Sequence, residues 1–198
     1  MALSIGKYRF YHIPKTGGNY IRKVMLAIST YKGLSLVERG HAHCGPLRIL
    51  PYHDFERSFC VVREPIEWYK SFYRYRVQNG WKDDHPVDIY CKADSFDEFI
   101  CNILKIWNSK DGPGYVTSLY LRFVPFCKFI LPMNNLTPSL KKLFAMWRLP
   151  FPSNVPPENA TSKAINTELS KPTFKSIRAS DNDIRKYLKL ETPKWRSK

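Results

Sequence analysis

A glycine-containing stretch near the N-terminus, His12-Ile13-Pro14-Lys15-Thr16-Gly17-Gly18-Asn19, has the composition of an anion-binding loop. Glycines let backbone N–H groups approach an anion closely, and a helix N-terminus adds unpaired N–H groups and the positive end of the helix dipole. Lys15 supplies an ammonium group for the same anion. In a Walker A motif the lysine follows the glycines, whereas here it precedes them, which disfavours an ATP- or GTP-hydrolysing loop.

Arg63 and Ser71 form a second constellation that suits a phosphate group. Arg63 directly follows the apolar run Ser58-Phe59-Cys60-Val61-Val62, and Ser71 comes eight residues after Arg63. Ligands of open α/β sheets bind at the carboxyl ends of the strands, which is where an arginine after a buried strand lies. A guanidinium fork together with a hydroxyl is suited to a phosphate monoester.

Both constellations fall on predicted strand–loop–helix units. The residue patterns predict a strand over 7–12 followed by a helix over about 19–30, and a strand over 58–62 followed by a helix from Glu64, as N-cap, to about Gln78. Further predicted elements are a capped core helix from Ser95, a strand over 128–131, a helix from Thr137, a long loop over 149–172 and a final helix over 181–190. The predicted fold class is a three-layer α/β/α, P-loop-like fold with a mostly parallel central sheet. We expect a single domain over 1–190 and a basic tail over 191–198.

The two motifs resemble those of sulfotransferases that use 3′-phosphoadenosine 5′-phosphosulfate (PAPS). Ile-Pro-Lys-Thr-Gly-Gly is similar to the 5′-phosphosulfate loop of the carbohydrate-type and the bacterial- or phage-type branches, and Arg63 with Ser71 is similar to the 3′-phosphate motif. The resemblance implies transfer of a sulfonate group from PAPS to an acceptor hydroxyl, with adenosine 3′,5′-bisphosphate (PAP) as product and no metal. The implied cofactor contacts are Pro14, Lys15, Thr16, Gly17, Gly18, Asn19, Tyr20, Arg63, Ser71, Ser162 and Lys163.

The resemblance has departures at positions 19 and 20, and it is weaker at positions 162 and 163. Asn19 stands where the family commonly has Ser or Thr, and we expect it to cap the helix and to bond a phosphate oxygen. Tyr20 is also unusual at its position. Ser162 and Lys163 lie where the family often has a loop over the nucleotide, and a solvated polar loop is an equal interpretation.

The segment 38–45 contains three candidates for the general base that sulfonate transfer requires. A Gly-His pair precedes the Arg-acidic-Pro motif in glycan 2-O-sulfotransferases, and His41 lies at a similar spacing, 22 residues before Arg63. His41 is therefore the first candidate, since a neutral imidazole is available near pH 7. His43 is the second candidate and Glu38 the third.

Lys15 has a second expected role under this mechanism, because negative charge grows on the leaving phosphate oxygen and an ammonium aimed there stabilises the transition state. A metal site at His41, His43 and Cys44 lacks a further ligand at zinc-finger spacing.

The composition is that of a folded basic protein. The chain has 198 residues, of which 43% are hydrophobic and 15% aromatic, and its formal net charge is +15. This charge favours anionic partners: a nucleotide cosubstrate, and an acceptor among which anionic glycans are candidates. The five cysteines form no CxxC pair, so we expect reduced thiols. The sequence has neither a signal-peptide h-region nor a long apolar run, so we expect a cytoplasmic protein without a membrane span.

Three other functions stay open from the sequence. A nucleotide kinase or other P-loop phosphotransferase is disfavoured by the reversed lysine–glycine order and by the lack of a clear Walker B aspartate. A nucleic-acid-binding module would use the aromatic and basic residues of 68–76. On a helix those aromatics fit a core, with Arg74 and Arg76 in solvent or along a groove, so nucleic acid is disfavoured. The third is a sulfotransferase-like protein that binds nucleotide without catalysis.

Overall fold

The computed structural model describes residues 2–40, 45–47, 54–107, 113–156 and 164–181. The strands are β1 (Ala2–Ile5), β2 (Tyr8–Tyr11), β3 (Leu36–Arg39), β4 (Ser58–Val62) and β5 (Phe129–Pro132). The helices are α1 (Gly18–Lys32), α2 (Pro65–Asn79), α3 (Pro86–Cys91), α4 (Phe96–Trp107), α5 (Tyr115–Leu121), α6 (Leu136–Met146) and α7 (Lys171–Ser180). The described residues form two compact units, one over 2–63 and 120–156 and the other over 64–119 and 164–181.

The first unit is built on a five-stranded open sheet with the strand order β3-β1-β2-β4-β5. The pairs β2–β4 and β4–β5 are parallel, whereas β1 is antiparallel to both β2 and β3. Four strands therefore run in one direction and β1 runs in the other. The predicted α/β class is confirmed, and the sheet is parallel only in part.

Helices α1 and α6 pack against one face of this sheet. Alternate strand residues point to that face, as the period of two along a strand requires. Ile21, Val24, Leu140 and Leu143 are apolar residues at helical spacing, and they meet that face from α1 and α6. The strand residues in this core are Leu3, Ile5, Phe10, Phe59, Val61, Phe129 and Leu131.

The second unit is helical and has an aromatic core. Helix α2 starts at a proline, and the Glu64 carboxylate caps it by accepting a hydrogen bond from the Glu67 N–H at 3.1 Å. Its buried face carries Trp68 and Phe72, whose rings stack with centroids 5.1 Å apart. Phe72 also stacks on Phe99 of α4 at 6.1 Å. The aromatic residues of the segment 68–76 thus include core side chains, as the helical spacing predicts.

The sequence predicted the central elements well and the last part of the chain poorly. β2, α1, β4 and α2 lie within two residues of their predicted bounds, and Ser95 accepts a hydrogen bond from the Glu98 N–H at 3.2 Å, as a capping box requires. The predicted loop over 149–172 is wrong at its end, because α7 already begins at Lys171. The helix predicted to start at residue 181 is also wrong there: Asp181 is the C-cap of α7, and 182–190 lie outside the described residues.

Within the described residues, no helix has the length and apolar character needed to cross a membrane. The cysteines among those residues, Cys60, Cys91, Cys101 and Cys127, are free thiols. Burial raises the pKa of the Cys91 thiol to about 12, with a further contribution from Asp88, so this cysteine is unreactive at neutral pH.

Candidate functional site

The loop between β2 and α1 has a backbone suited to an anion. Lys15 has a φ of 62° and Gly17 a φ of 79°, both in the left-handed region, while Thr16 between them is not at positive φ. Backbone that alternates in hand turns successive N–H groups toward one side and makes a concave anion site. The first turn of α1, which follows directly, adds its own unpaired N–H groups.

The loop is braced from inside by Thr16. Its side chain is fully buried, and its hydroxyl donates a hydrogen bond to the Ile13 carbonyl at 2.8 Å. Gly17 is the N-cap of α1 and accepts the first helical bond, from the Ile21 N–H at 3.1 Å. The expectation that Asn19 caps the helix is wrong, because the left-handed Gly17 takes that position and Asn19 lies exposed in the first turn.

Both glycines of the loop lie where a side chain would not fit. A Cβ on Gly18 would lie 1.9 Å from Nε2 of His12, so the imidazole ring covers the start of α1. A Cβ on Gly17 would lie 3.0 Å from Leu136 Cδ2 and 3.0 Å from Met133 Sδ. The close packing therefore requires glycine at 17 and 18, in addition to the positive φ at 17.

Arg63 lies beside this loop. It follows β4, and β4 is the parallel neighbour of β2, so the carboxyl ends of both strands lie at one edge of the sheet. Its guanidinium Nη1 donates a hydrogen bond to the Lys15 carbonyl oxygen at 3.3 Å. The two constellations found in the sequence thus meet, although 48 residues separate Lys15 from Arg63.

Tyr120 is a residue of this site that sequence reasoning missed. Its hydroxyl accepts a hydrogen bond from the Arg63 N–H at 2.9 Å and donates one to the Arg63 carbonyl at 2.8 Å. It lies 57 residues from Arg63, on α5, a helix that the sequence analysis did not predict. No local sequence pattern marks such a contact.

The other predicted site residues do not all lie at this loop. The Tyr20 side chain is buried in the core, and its hydroxyl is 3.0 Å from that of Thr137. Ser71 is buried on α2 in the second unit. Glu38 lies on β3, and its carboxylate forms an ion pair with Arg22. Outside the described residues are His41, His43, Ser162 and Lys163.

The second unit contains two buried polar networks, the first of which is an ion pair. Arg76 is only 7% exposed and its Nη2 lies 2.8 Å from Oδ2 of Asp88, so the expectation that Arg76 lies in solvent or along a groove is wrong. Nearby, burial lowers the pKa of His85, and the charge on Arg76 lowers it further, while Asp88 opposes both. These groups are occupied in holding α2 and α3 together.

Asp181 forms the other network. It accepts hydrogen bonds from the Tyr69 hydroxyl at 2.8 Å and the Thr117 N–H at 2.7 Å. Burial raises the pKa of Asp181, and these two hydrogen bonds oppose the rise. Burial and the Asp181 charge also raise the pKa of Tyr69. Both carboxylate oxygens are engaged, so the network ties the start of α5 to the end of α7.

Among the described residues, no group of three or more His, Cys, Asp and Glu side chains is arranged to hold a metal ion. Comparison with known proteins gives no match to a protein-family profile, to a curated protein or to a solved structure.

Proposed function

We propose that the protein is a sulfotransferase that moves a sulfonate group from PAPS to an acceptor hydroxyl. In this proposal the sheet and its helices form a three-layer, P-loop-like fold. The 5′-phosphosulfate binds in the loop 14–20 and the 3′-phosphate binds at Arg63. The motif also assigns Ser71, Ser162 and Lys163 to the nucleotide.

One observation carries the proposal: the Arg63 guanidinium donates to the Lys15 carbonyl. Two residues with cationic side chains thus lie at one edge of the sheet, each in the segment that follows a strand, and the two strands are about 4.8 Å apart. A nucleotide with phosphates on both its 5′ and 3′ oxygens has two dianionic groups on one ribose, and the alternating backbone hand of the loop suits the first of them. An arginine fork suits the second.

The reaction that this arrangement supports is an in-line displacement at sulfur. The bond from sulfur to the 5′-phosphate oxygen breaks, its electron pair stays on that oxygen, and a bond from sulfur to the acceptor oxygen forms. The acceptor proton passes to the base. Lys15 and the N–H groups of the loop stabilise the charge that grows on the phosphate, an effect that is stronger in the transition state than before it.

The base is assigned to His41, with His43 and Glu38 as the alternatives. Glu38 is the weakest of the three, because its carboxylate is already engaged by the Arg22 guanidinium and would have to leave that ion pair to reach an acceptor. His41→Ala and His43→Ala, each measured for sulfonate transfer and for PAP binding, identify the base as the residue whose loss removes turnover and preserves binding.

An anionic acceptor is supported by the formal net charge of +15, to which a basic face of α7 contributes. Lys171, Lys175 and Arg178 recur at intervals of four and three residues, which puts them on one face of the helix, and all three are exposed. None of them pairs with a carboxylate in the part of the chain that the structure describes. We therefore propose an anionic glycan as the acceptor to be screened first.

The cofactor is tested by calorimetry with PAP beside ATP and Mg²⁺. We expect PAP to bind and ATP to bind far more weakly, since only PAP carries the 3′-phosphate. Arg63→Ala is expected to weaken PAP binding at least tenfold, the factor that corresponds to about 1.4 kcal/mol. Lys142→Ala, which removes an exposed charge from α6, is the matched control. Tighter binding of ATP than of PAP would instead favour a phosphotransferase.

Catalysis is tested by transfer of radiolabelled sulfonate from PAPS to glycans of graded charge. Lys15→Ala is expected to abolish turnover. If Lys15→Ala kept near-normal turnover, the role given to the ammonium would be wrong.

A further inference from the structure

The backbone of Arg63 lies just beyond the sheet. The last pair of the β4–β5 ladder joins Val62 to Pro132, so the N–H and C=O groups of Arg63 come after the strand pairing. Backbone groups that leave a ladder inside a protein need other partners. The Tyr120 hydroxyl supplies both partners at once, by accepting from the N–H at 2.9 Å and donating to the C=O at 2.8 Å.

This pair of hydrogen bonds fixes the two peptide groups that flank Arg63. A phenol has one O–H donor, which goes to the Arg63 carbonyl, while its oxygen accepts the N–H. The ring of Tyr120 is fully buried, so the hydroxyl is held by packing rather than by a mobile side chain. Both peptide planes at Arg63 are therefore tied to one rigid aromatic ring.

The direction of the Arg63 side chain follows from its backbone. With the peptide planes fixed, the Cα–Cβ bond has one direction, and the guanidinium reaches the Lys15 carbonyl at 3.3 Å. That contact uses one of the five N–H groups of a guanidinium. A small rotation of the backbone at residue 63 would move the guanidinium away from the loop, because the guanidinium lies at the far end of a long side chain and is displaced most.

We infer that Tyr120 is a positioning residue that, through Arg63, sets the preference of the site for nucleotides with a 3′-phosphate. This inference rests on the proposed function, because it presumes that Arg63 binds that phosphate. The two hydrogen bonds of the Tyr120 hydroxyl reach the backbone of Arg63, so their effect on binding passes through the arginine. The loop around Lys15 is braced separately by the buried Thr16 hydroxyl, so we expect its affinity for a 5′-phosphate to change less than the affinity for a 3′-phosphate when the Tyr120 hydroxyl is removed.

The test compares the dissociation constants of PAP and of adenosine 5′-monophosphate (AMP), which lacks the 3′-phosphate. The measured quantity is the ratio of the AMP constant to the PAP constant. Tyr120→Phe is expected to lower this ratio roughly tenfold, equivalent to 1.4 kcal/mol of selective binding. Tyr8→Phe is the matched control, because it removes a tyrosine hydroxyl that donates to the Trp147 carbonyl at 3.0 Å in the same unit. The ratio is expected to stay at the wild-type value in that control.

A double-mutant cycle separates positioning from stability. In an Arg63→Ala background, Tyr120→Phe is expected to leave the ratio unchanged, because the group that it positions is already gone. If Tyr120→Phe fails to fold, hydrogen exchange of the wild-type protein serves instead. The Arg63 amide is then expected to be protected as strongly as an amide within β4, although it lies beyond the ladder.

The outcomes distinguish the inference from the proposed function. If Tyr120→Phe weakens PAP and AMP binding equally, or lowers the ratio as much without Arg63 as with it, Tyr120 is a structural residue only and the inference is overturned. A rapidly exchanging Arg63 amide overturns it as well. If the wild-type protein binds PAP no better than AMP, the proposed function itself fails, whatever the variants do.

Discussion

Gly18→Ala tests how the loop between β2 and α1 is packed against His12. The new Cβ would lie 1.9 Å from Nε2, 2.2 Å from Cδ2 and 2.4 Å from Cε1 of the imidazole. Ordinary contacts of this kind are about 3.4 Å or longer, so the ring or the start of α1 must move by more than an ångström. The ring cannot shift freely toward Phe10, since the two rings stack at 5.9 Å and Phe10 is buried.

The expected cost follows from two opposing effects. Overpacking of a tightly filled site costs about 1–3 kcal/mol. Alanine is favoured over glycine within a helix by roughly 0.5–1 kcal/mol, which offsets part of this cost. We expect a net loss of about 1–2 kcal/mol in the free energy of unfolding. For a chain of this size that lowers the melting temperature by roughly 2–8 °C.

The decisive assay is a double-mutant cycle with His12→Ala, followed by thermal and urea unfolding. Removing the ring leaves a space that the new methyl group at position 18 can fill, so the double variant is expected to be more stable than the sum of the single variants by about 1–2 kcal/mol. Gly45→Ala is the control for a glycine-to-alanine change without a clash, because Gly45 is not at positive φ and its Cβ would lie at an ordinary 3.5 Å from the Arg122 carbonyl oxygen. An equal cost of Gly18→Ala with and without the imidazole would refute the packing argument.

Three further changes test other parts of the molecule. Arg76→Ala removes the charge partner of the buried Asp88 carboxylate, which keeps a hydrogen bond from the Lys82 N–H at 3.1 Å, so it should cost about 3 kcal/mol in urea unfolding. Replacing both Arg76 and Asp88 by apolar residues should restore most of the loss, and a cost of Arg76→Ala under about 1 kcal/mol would contradict a buried pair. The pKa of His85 is lowered in the folded state, so the unfolded state takes up its proton first, and the free energy of unfolding should fall as the pH drops below 6.5. His85→Gln should remove that part of the pH dependence; an unchanged profile would speak against it. Gly17→Ala forces a side chain to a φ of 79° and should cost about 1–2 kcal/mol; a variant of wild-type stability would argue against this loop shape.

The sequence was informative where a local pattern and the tertiary structure agree. β4 is an uninterrupted apolar run, and α2 has its carboxylate cap and its proline at the first turn, so both could be placed within one residue. The Lys15 loop and Arg63 could be predicted to meet, because both follow strands and the carboxyl ends of parallel neighbours share an edge.

Other elements were missed because their sequences favour another structure. Helix α5 is rich in β-branched and aromatic residues that suit strands, and tertiary contacts override that preference. Helix α7 was missed because Pro172 was interpreted as a loop residue. Proline is tolerated in the first turn of a helix, and the Ser170 side chain accepts the Thr173 N–H there. The role of Tyr120 depends on a contact across 57 residues, which no periodicity encodes.

The left-handed backbone conformation of Lys15 lowers the stability of the folded chain. A residue with a side chain is disfavoured in the left-handed region by about 1–2 kcal/mol, and glycine is not. Glycine loses more backbone entropy on folding, by roughly 0.5–1 kcal/mol, which offsets part of this difference. Lys15→Gly should therefore melt at a slightly higher temperature than the natural protein, and under the proposed function it should lose turnover together with its amine.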